Sequence, residues 1–76
     1  MVSAYMFIKL AGGTPVETVA AIRKIKGIKQ AHVVTGPDDI IAFVEAEDMN
    51  ELGNITVAIR NIAVVTGSDT RVTWPI

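Results

Sequence analysis

One apolar stretch constrains the fold of this chain more than any other. Residues 40–44 follow a compact polar turn at residues 35–39, and a second β-branched run precedes that turn. Two such runs around a short Gly-Pro-Asp turn are typical of a β-hairpin. Because successive side chains of a strand point to opposite faces, this strand has Ile40, Ala42 and Val44 on one face and Ile41 and Phe43 on the other. Both faces are apolar, so a sheet built on this strand needs cover on both sides.

The first strand, predicted over residues 2–10, has the same property. One face carries small and aliphatic side chains and the other carries large aromatic ones. These are Ala4, Met6, Ile8 and Leu10 on the first face, and Tyr5 and Phe7 on the second. The second strand is predicted over residues 28–35 and the third over residues 40–47.

A first helix is predicted to begin at Thr14-Pro15-Val16-Glu17. The Thr14 side chain can cap the free amide of Glu17, and Pro15 suits the first helical position, where its missing N–H is not needed. Gly27 is predicted to end the helix in a left-handed cap. The expected apolar stripe consists of Val16, Val19, Ile22 and Ile25.

A second helix is predicted after Asp48, which has Glu51 three residues on and so forms a capping pair. Gly53 weakens this helix by about 1 kcal/mol relative to alanine. Its apolar stripe consists of Leu52, Ile55, Ile59 and Ile62. The last strand is predicted over residues 63–74, bulged and kinked at Gly67-Ser68-Asp69.

The element order is strand, helix, strand, strand, helix, strand. Right-handed crossovers then put both helices on one face of a four-stranded antiparallel sheet, the ferredoxin-like arrangement of the α+β class. The face bearing Tyr5, Phe7, Ile41 and Phe43 stays open. Two such sheets stacked roughly 10 Å apart bury it, and we therefore predict a dimer with these four residues in its interface.

Composition supports association. The chain has 76 residues, so we predict one domain over residues 1–76, yet 50% of the residues are hydrophobic and the mean hydropathy is +0.42. A domain this small buries only about 60% of the surface that its unfolded chain exposes. Since large apolar patches are rare on monomers, a homo-oligomer is the favoured state.

The charge balance and the residue types present exclude several classes of function. Seven basic residues face eight acidic ones, a net charge of -1, whereas nucleic-acid-binding surfaces carry a basic excess. The absence of cysteine excludes disulfides, thiol catalysis and cysteine-based zinc sites. No apolar run reaches the ~18 residues of a membrane helix, and the N-terminus lacks the basic region of a secretory signal. We expect a cytoplasmic protein without direct nucleic-acid or membrane binding.

Several short motifs together resemble one family. They are the run over residues 33–52 with its turn Gly36-Pro37-Asp38-Asp39, the helix end Lys26-Gly27-Ile28, and Val65 and Thr70 in the last strand. In this order they resemble the C-terminal domain of the leucine-responsive regulator/AsnC (Lrp/AsnC) family, with its Gly-x-x-Asp turn. That domain is known as the regulation of amino acid metabolism (RAM) domain.

The resemblance implies a dimer of stacked sheets, assembled further into rings such as octamers. It also implies small effectors, usually amino acids, bound near the hairpin loops at subunit junctions, and a role in transcription of amino acid metabolism. Family regulators usually carry an N-terminal helix-turn-helix, which this chain lacks, so the expectation is a stand-alone form. No cofactor is predicted. A full-length paralogue is a candidate partner.

The predicted ligand site is the turn. Gly36 permits unusual backbone conformations, and successive turn amides can hold a carboxylate. Asp38 or Asp39 can pair with a ligand ammonium, and Thr70 offers a hydroxyl. The predicted ligand-binding residues are Thr35, Gly36, Pro37, Asp38, Asp39 and Thr70. The alternative is that Gly, Pro and Asp are ordinary hairpin residues.

Other readings stay open. A small enzyme of the dimeric ferredoxin-like barrel type would use His32 and Tyr5. Because a single histidine offers few groups for acid–base catalysis, we predict no catalytic residues. Glu45 and Glu47 alone are too few for a metal site, and none is predicted.

Trp74 either anchors an interface or covers the core. A scaffold that joins full-length regulators and a sensor of the ACT type, whose sheets often pair edge to edge, are further alternatives.

Overall fold

The computed structural model describes residues 1–12 and 15–76. Its elements are β1 (Val2–Leu10), α1 (Pro15–Arg23), β2 (Ile28–Val33), β3 (Ile40–Ala46), α2 (Met49–Arg60) and β4 (Val65–Val72). The four strands form one antiparallel sheet in the order β2-β3-β1-β4. The predicted ferredoxin-like α+β fold is confirmed, with β1 and β3 central and β2 and β4 at the edges.

The core lies between one face of the sheet and the two helices. Strand pairing sets Met6 opposite Ala42 and Ile8 opposite Ile40, so the predicted inward residues of the central strands meet on one face. Among the described residues, the buried apolar side chains are Ala4, Met6, Ile8, Ala31, Ile40, Ala42, Val44 and Ala46 from the sheet, and Val19, Ile22, Leu52, Ile55 and Ile59 from the helices. The helices therefore cover one face only, as predicted.

The first helix differs from the prediction at both ends of its apolar stripe. Val16 is 71% exposed and Thr18 is buried instead. A step of three residues falls short of the 3.6-residue turn, so the stripe drifts around the helix and Val16 cannot face the sheet together with Ile22. The helix ends at Arg23 rather than beside Gly27. The predicted cap at Thr14 lies outside the described residues.

Gly27 does not cap α1 but has another structural role. Its φ is +100°, and a Cβ there would lie 2.6 Å from Ile55 Cδ1 and 3.0 Å from the Glu45 carbonyl oxygen. The Gly27 carbonyl also accepts a hydrogen bond from the Glu45 amide at 2.8 Å. Only glycine lets the chain close this tightly against both α2 and β3.

The second helix begins as predicted. Asp48 Oδ1 accepts a hydrogen bond from the Glu51 amide at 2.8 Å. The Glu51 carboxylate accepts from the Glu47 amide at 3.2 Å, one residue further out than the predicted partner. This reciprocal cap stabilises the start of the helix. Within the described residues, neither helix is long and apolar enough to cross a membrane.

The last strand is continuous, so the predicted kink at Gly67-Ser68-Asp69 is wrong. These three residues pair with Lys9, Ile8 and Phe7 of β1. The irregularity lies earlier, where Lys9 pairs with Gly67 and Leu10 with Val65. The residue between these two partners, Thr66, is extra, and one extra residue on one strand is a β-bulge.

Candidate functional site

The sheet face away from the helices, here called the open face, has an apolar centre. Tyr5, Phe7, Ile41 and Phe43 form this centre. Tyr5 pairs with Phe43 and Phe7 with Ile41 across the two central strands. Tyr5 is 47% exposed, and its ring lies 5.0 Å from that of Phe43 at a tilt of 50°. A tilted pair at this spacing is a favourable aromatic contact.

A polar rim surrounds the centre. On the β2 side, Gln30 pairs with Phe43 and His32 with Ile41. On the β4 side, Asp69 and Arg71 pair with Phe7 and Tyr5. All four rim residues are exposed. An apolar centre with a polar rim is the usual anatomy of a protein–protein interface.

Arg71 is held over the apolar centre. Its guanidinium carbon lies 4.9 Å from the Phe7 ring centroid, and its Nη2 lies 3.0 Å from Asp69 Oδ2. The side chains are 70% and 57% exposed, so the ion pair adds little stability. Its effect is to keep the Arg71 guanidinium close to the Phe7 ring.

An open cleft of about 410 Å³ lies at one end of the open face, where the β2–β3 turn approaches β4 across β1. It is lined by Phe7, Lys9, Pro37, Asp38, Gly67, Ser68, Asp69 and Arg71. The lining brings two cations and two carboxylates beside one aromatic ring. The cleft can therefore present opposite charges to one small ligand.

The turn is fixed to β1 by Asp39. Its Oδ2 accepts a hydrogen bond from the Leu10 amide at 2.8 Å. Its own amide donates to the Ile8 carbonyl at 3.0 Å, and its carbonyl accepts from the Val34 amide at 2.9 Å. Gly36 has φ +116°, which only glycine adopts without strain. Asp39 thus holds the turn in place, while Asp38 is the turn carboxylate that lines the cleft.

The predicted ligand residues divide into two places. Pro37 and Asp38 line the cleft, and Thr35 and Gly36 lie exposed in the same turn. Thr70 pairs with the buried Met6 and so belongs to the helix side of β4. There it lines an apolar groove with Met49, Leu52, Gly53, Thr56 and Val72. Within one chain, Thr70 and the turn are on opposite sides of the sheet.

Sequence reasoning missed Lys9, Asp69 and Arg71 as cleft residues. The predicted kink concealed the alternation of β4, which puts Asp69 and Arg71 on the same face. Lys9 follows Phe7 by two residues, so strand periodicity alone was enough to place it beside the aromatic centre.

The remaining candidates lie apart from the cleft. His32 is exposed on the β2 side of the rim, opposite Ile41. Glu45 pairs with Ser3 at the other end of the open face. In the part of the chain that the structure describes, no three His, Asp or Glu side chains form a possible metal site. Trp74 is 76% exposed and does not cover the core.

A model of the Lrp/AsnC ligand binding domain family matches residues 3–74. The chain belongs to this family. The family assignment that the turn and strand motifs indicated is thereby confirmed, and the Lrp/AsnC ligand-binding domain accounts for nearly the whole length of the chain. No curated protein sequence matches it significantly.

Solved structures share this Lrp/AsnC fold. TTHA0845 from Thermus thermophilus is 26% identical with a TM-score of 0.93, over 100% of this chain and 96% of that one. AsnC from E. coli is 19% identical with a TM-score of 0.87, over 99% and 53%. The feast or famine regulatory protein (Rv3291c) from M. tuberculosis, solved with L-methionine, is 18% identical with a TM-score of 0.84, over 100% and 52%. This chain spans about half of each of the last two regulators, and at such identities they show the fold alone.

Proposed function

We propose that this chain is an effector-sensing and oligomerisation module that modulates transcription of amino acid metabolism. Copies associate through their open faces, and an amino acid binds in the charged cleft at the edge of that association surface. The observation that carries the proposal is the continuity of the two regions, because Phe7 and Arg71 belong both to the open face and to the cleft lining.

Association is supported by the chemistry of the open face. Each large aromatic side chain buries roughly 150–250 Å² when it is fully covered, and the rings of Tyr5 and Phe43 already pack against each other. Two sheets stacked about 10 Å apart let their side chains interdigitate. The polar rim then sets the orientation of the copies rather than the affinity. A dimer formed in this way is the unit from which a ring assembles.

Amino acid binding is supported by the charges of the cleft. The Asp38 carboxylate can accept charge-assisted hydrogen bonds from a ligand ammonium, and Lys9 or Arg71 can donate to a ligand carboxylate. The volume of about 410 Å³ falls within the range of small-molecule sites, roughly 300–1,000 Å³. The M. tuberculosis relative was solved with L-methionine, so this amino acid is the first one to test.

Sensing follows from the position of the cleft. Because the cleft opens beside the open face, a second copy covers it on association, and the ligand then lies at a subunit junction. A ligand that binds the associated form more tightly shifts the population toward that form. The output is a change of assembly, passed on by a full-length DNA-binding paralogue rather than by direct contact with DNA.

The first test is a screen of the common amino acids by thermal shift and calorimetry, beginning with L-methionine. We expect at least one of them to raise the melting temperature and to change the mass measured by light scattering. Failure of all of them at millimolar concentration contradicts effector binding.

The second test uses charge-neutral variants of the cleft. Asp38→Asn and Arg71→Gln each remove a charged ligand contact and are expected to weaken binding about 10-fold or more. Glu17→Gln and Lys24→Gln remove the same charges from exposed positions of the α1 region and serve as matched controls. Equal binding by the cleft variants and the controls rules out this cleft as the site.

A further inference from the structure

Each helix carries an arginine as its last residue, next to a free edge of the sheet. Arg23 ends α1 and Arg60 ends α2. The two edge strands are β2 and β4. A free edge presents unpaired N–H and C=O groups on which a strand of another molecule can add. How this chain protects both edges therefore bears on how its copies associate.

At the β2 edge, the exposed carbonyl is that of Ala31. The Val34 amide donates to the Asp39 carbonyl, so the even-numbered residues from Gln30 onward, after the register shift in β2, bond to β3. Since alternate residues of an antiparallel strand bond to the same neighbour, the Ala31 carbonyl points outward. Arg23 donates to it twice, from Nε at 2.9 Å and from Nη2 at 2.7 Å.

At the β4 edge, the arrangement is repeated with Ser68. The Thr73 amide donates to the Ser3 carbonyl at 2.8 Å, so the odd-numbered residues from Gly67 onward bond to β1, and Ser68 points its backbone outward. Arg60 donates from Nη2 to the Ser68 carbonyl at 3.3 Å and from Nε to the Ser68 Oγ at 3.0 Å. A second helix-terminal arginine thus occupies the second edge.

From this repeated geometry we propose that Arg23 and Arg60 close the two sheet edges against pairing with another copy. Each guanidinium occupies an acceptor in the middle of an edge strand, and an added strand would need that acceptor. The caps also put positive charge on both edges, so any two edges that approach each other repel. This inference rests on the proposed open-face association. In that setting, the two arginines disfavour a sheet joined edge to edge and so favour stacking of the open faces.

The planar fork of arginine suits this role. Each guanidinium donates two N–H groups whose relative geometry is fixed. Those of Arg23 both reach the Ala31 carbonyl, and those of Arg60 reach the carbonyl and the hydroxyl of Ser68. Lysine offers a single charged nitrogen on a flexible stem and cannot hold either pattern. Arginine-to-lysine variants therefore retain the charge of each helix end and lose the fork.

The test compares the double variant Arg23→Ala/Arg60→Ala with the wild-type chain and with Lys24→Ala/Lys26→Ala, which removes the same charge from exposed positions. Light scattering across a concentration series gives the mass, and thioflavin T reports on new strand pairing. The edge variant is expected to show at least twice the wild-type mass, and the mass should grow with concentration, because each copy then has two free edges and the assembly need not close. The control variant is expected to match the wild type.

A wild-type mass and no thioflavin T signal for a folded edge variant overturn the proposal. Should the alanine variant fail to fold, Arg23→Lys/Arg60→Lys replaces it, with a smaller mass increase expected and an unchanged mass overturning the proposal. Repeating the comparison in Phe43→Asp separates the two proposals. If Phe43→Asp alone leaves the mass unchanged, open-face association is contradicted. If the mass does not increase when both arginines are then replaced in the Phe43→Asp background, the proposed protection of the edges by Arg23 and Arg60 is contradicted.

Discussion

The central strands carry apolar side chains on both faces of the sheet, but the two faces differ in their cover. On the helix side, Met6 and Ile40 are completely buried. On the open side, Tyr5 remains 47% exposed, and its neighbours on the central strands are only partly covered. The same alternating pattern thus produces a core covered by the helices on one side and a partly exposed apolar surface on the other. The first stabilises the fold, and the second is the surface through which we propose that copies associate.

Neighbouring isoleucines of β3 provide the sharpest test of this comparison. Ile40→Ala opens a cavity in the closed core and is expected to lower the free energy of unfolding by about 2–5 kcal/mol at any protein concentration. Ile41→Ala is expected to cost less, and its cost should grow with concentration because it acts through association. Urea denaturation at several protein concentrations measures both. Equal, concentration-independent losses for the two variants are incompatible with a difference between the faces.

A charge in the centre of the open face should abolish association. Phe43→Asp puts an unpaired carboxylate where a second sheet would remove water, and the expected loss of association free energy is about 2 kcal/mol or more. Val57→Asp is the matched control, since Val57 is 57% exposed on α2. Light scattering should show a reduced mass for Phe43→Asp alone. A reduced mass for the control as well would move the interface to the helix side.

The two turns with left-handed glycines should respond differently to alanine. Both Gly27 and Gly36 have positive φ, which costs a non-glycine residue about 1–2 kcal/mol. At Gly27 the added Cβ also meets Ile55, whereas at Gly36 nothing lies within 4 Å of it. Thermal denaturation should therefore show a larger loss for Gly27→Ala. The reverse order would mean that the core does not close against this turn as described.

The smallest expected effect concerns the start of α2, which covers only the helix side. Asp48→Ala removes the acceptor of the Glu51 amide and should cost about 1 kcal/mol of stability. The mass of the assembly should stay unchanged, because Asp48 lies outside the open face. Asp48→Asn, which retains an acceptor oxygen, should restore most of the stability. A changed mass for Asp48→Ala would show that the helix side affects association, against the separate roles given to the two faces.

The alternation of apolar residues and the local signals at element ends were sufficient to predict the fold. Residues 40–44 predicted a strand with two apolar faces, and Asp48 with Glu51 predicted the start of α2. These features depend on neighbours a few residues apart, which a sequence displays directly. The family assignment that the short motifs indicated was confirmed over residues 3–74.

Only the tertiary structure decided which side chains meet across strands. The bulge at Thr66 shifts the register of β4 against β1, and after it Asp69 and Arg71 join Lys9 at the cleft while Thr70 faces the helices. Likewise, the edge acceptors of Arg23 and Arg60 depend on which strands lie outermost. Register and strand order arise from pairing between segments far apart in the chain, and local periodicity carries no information about them.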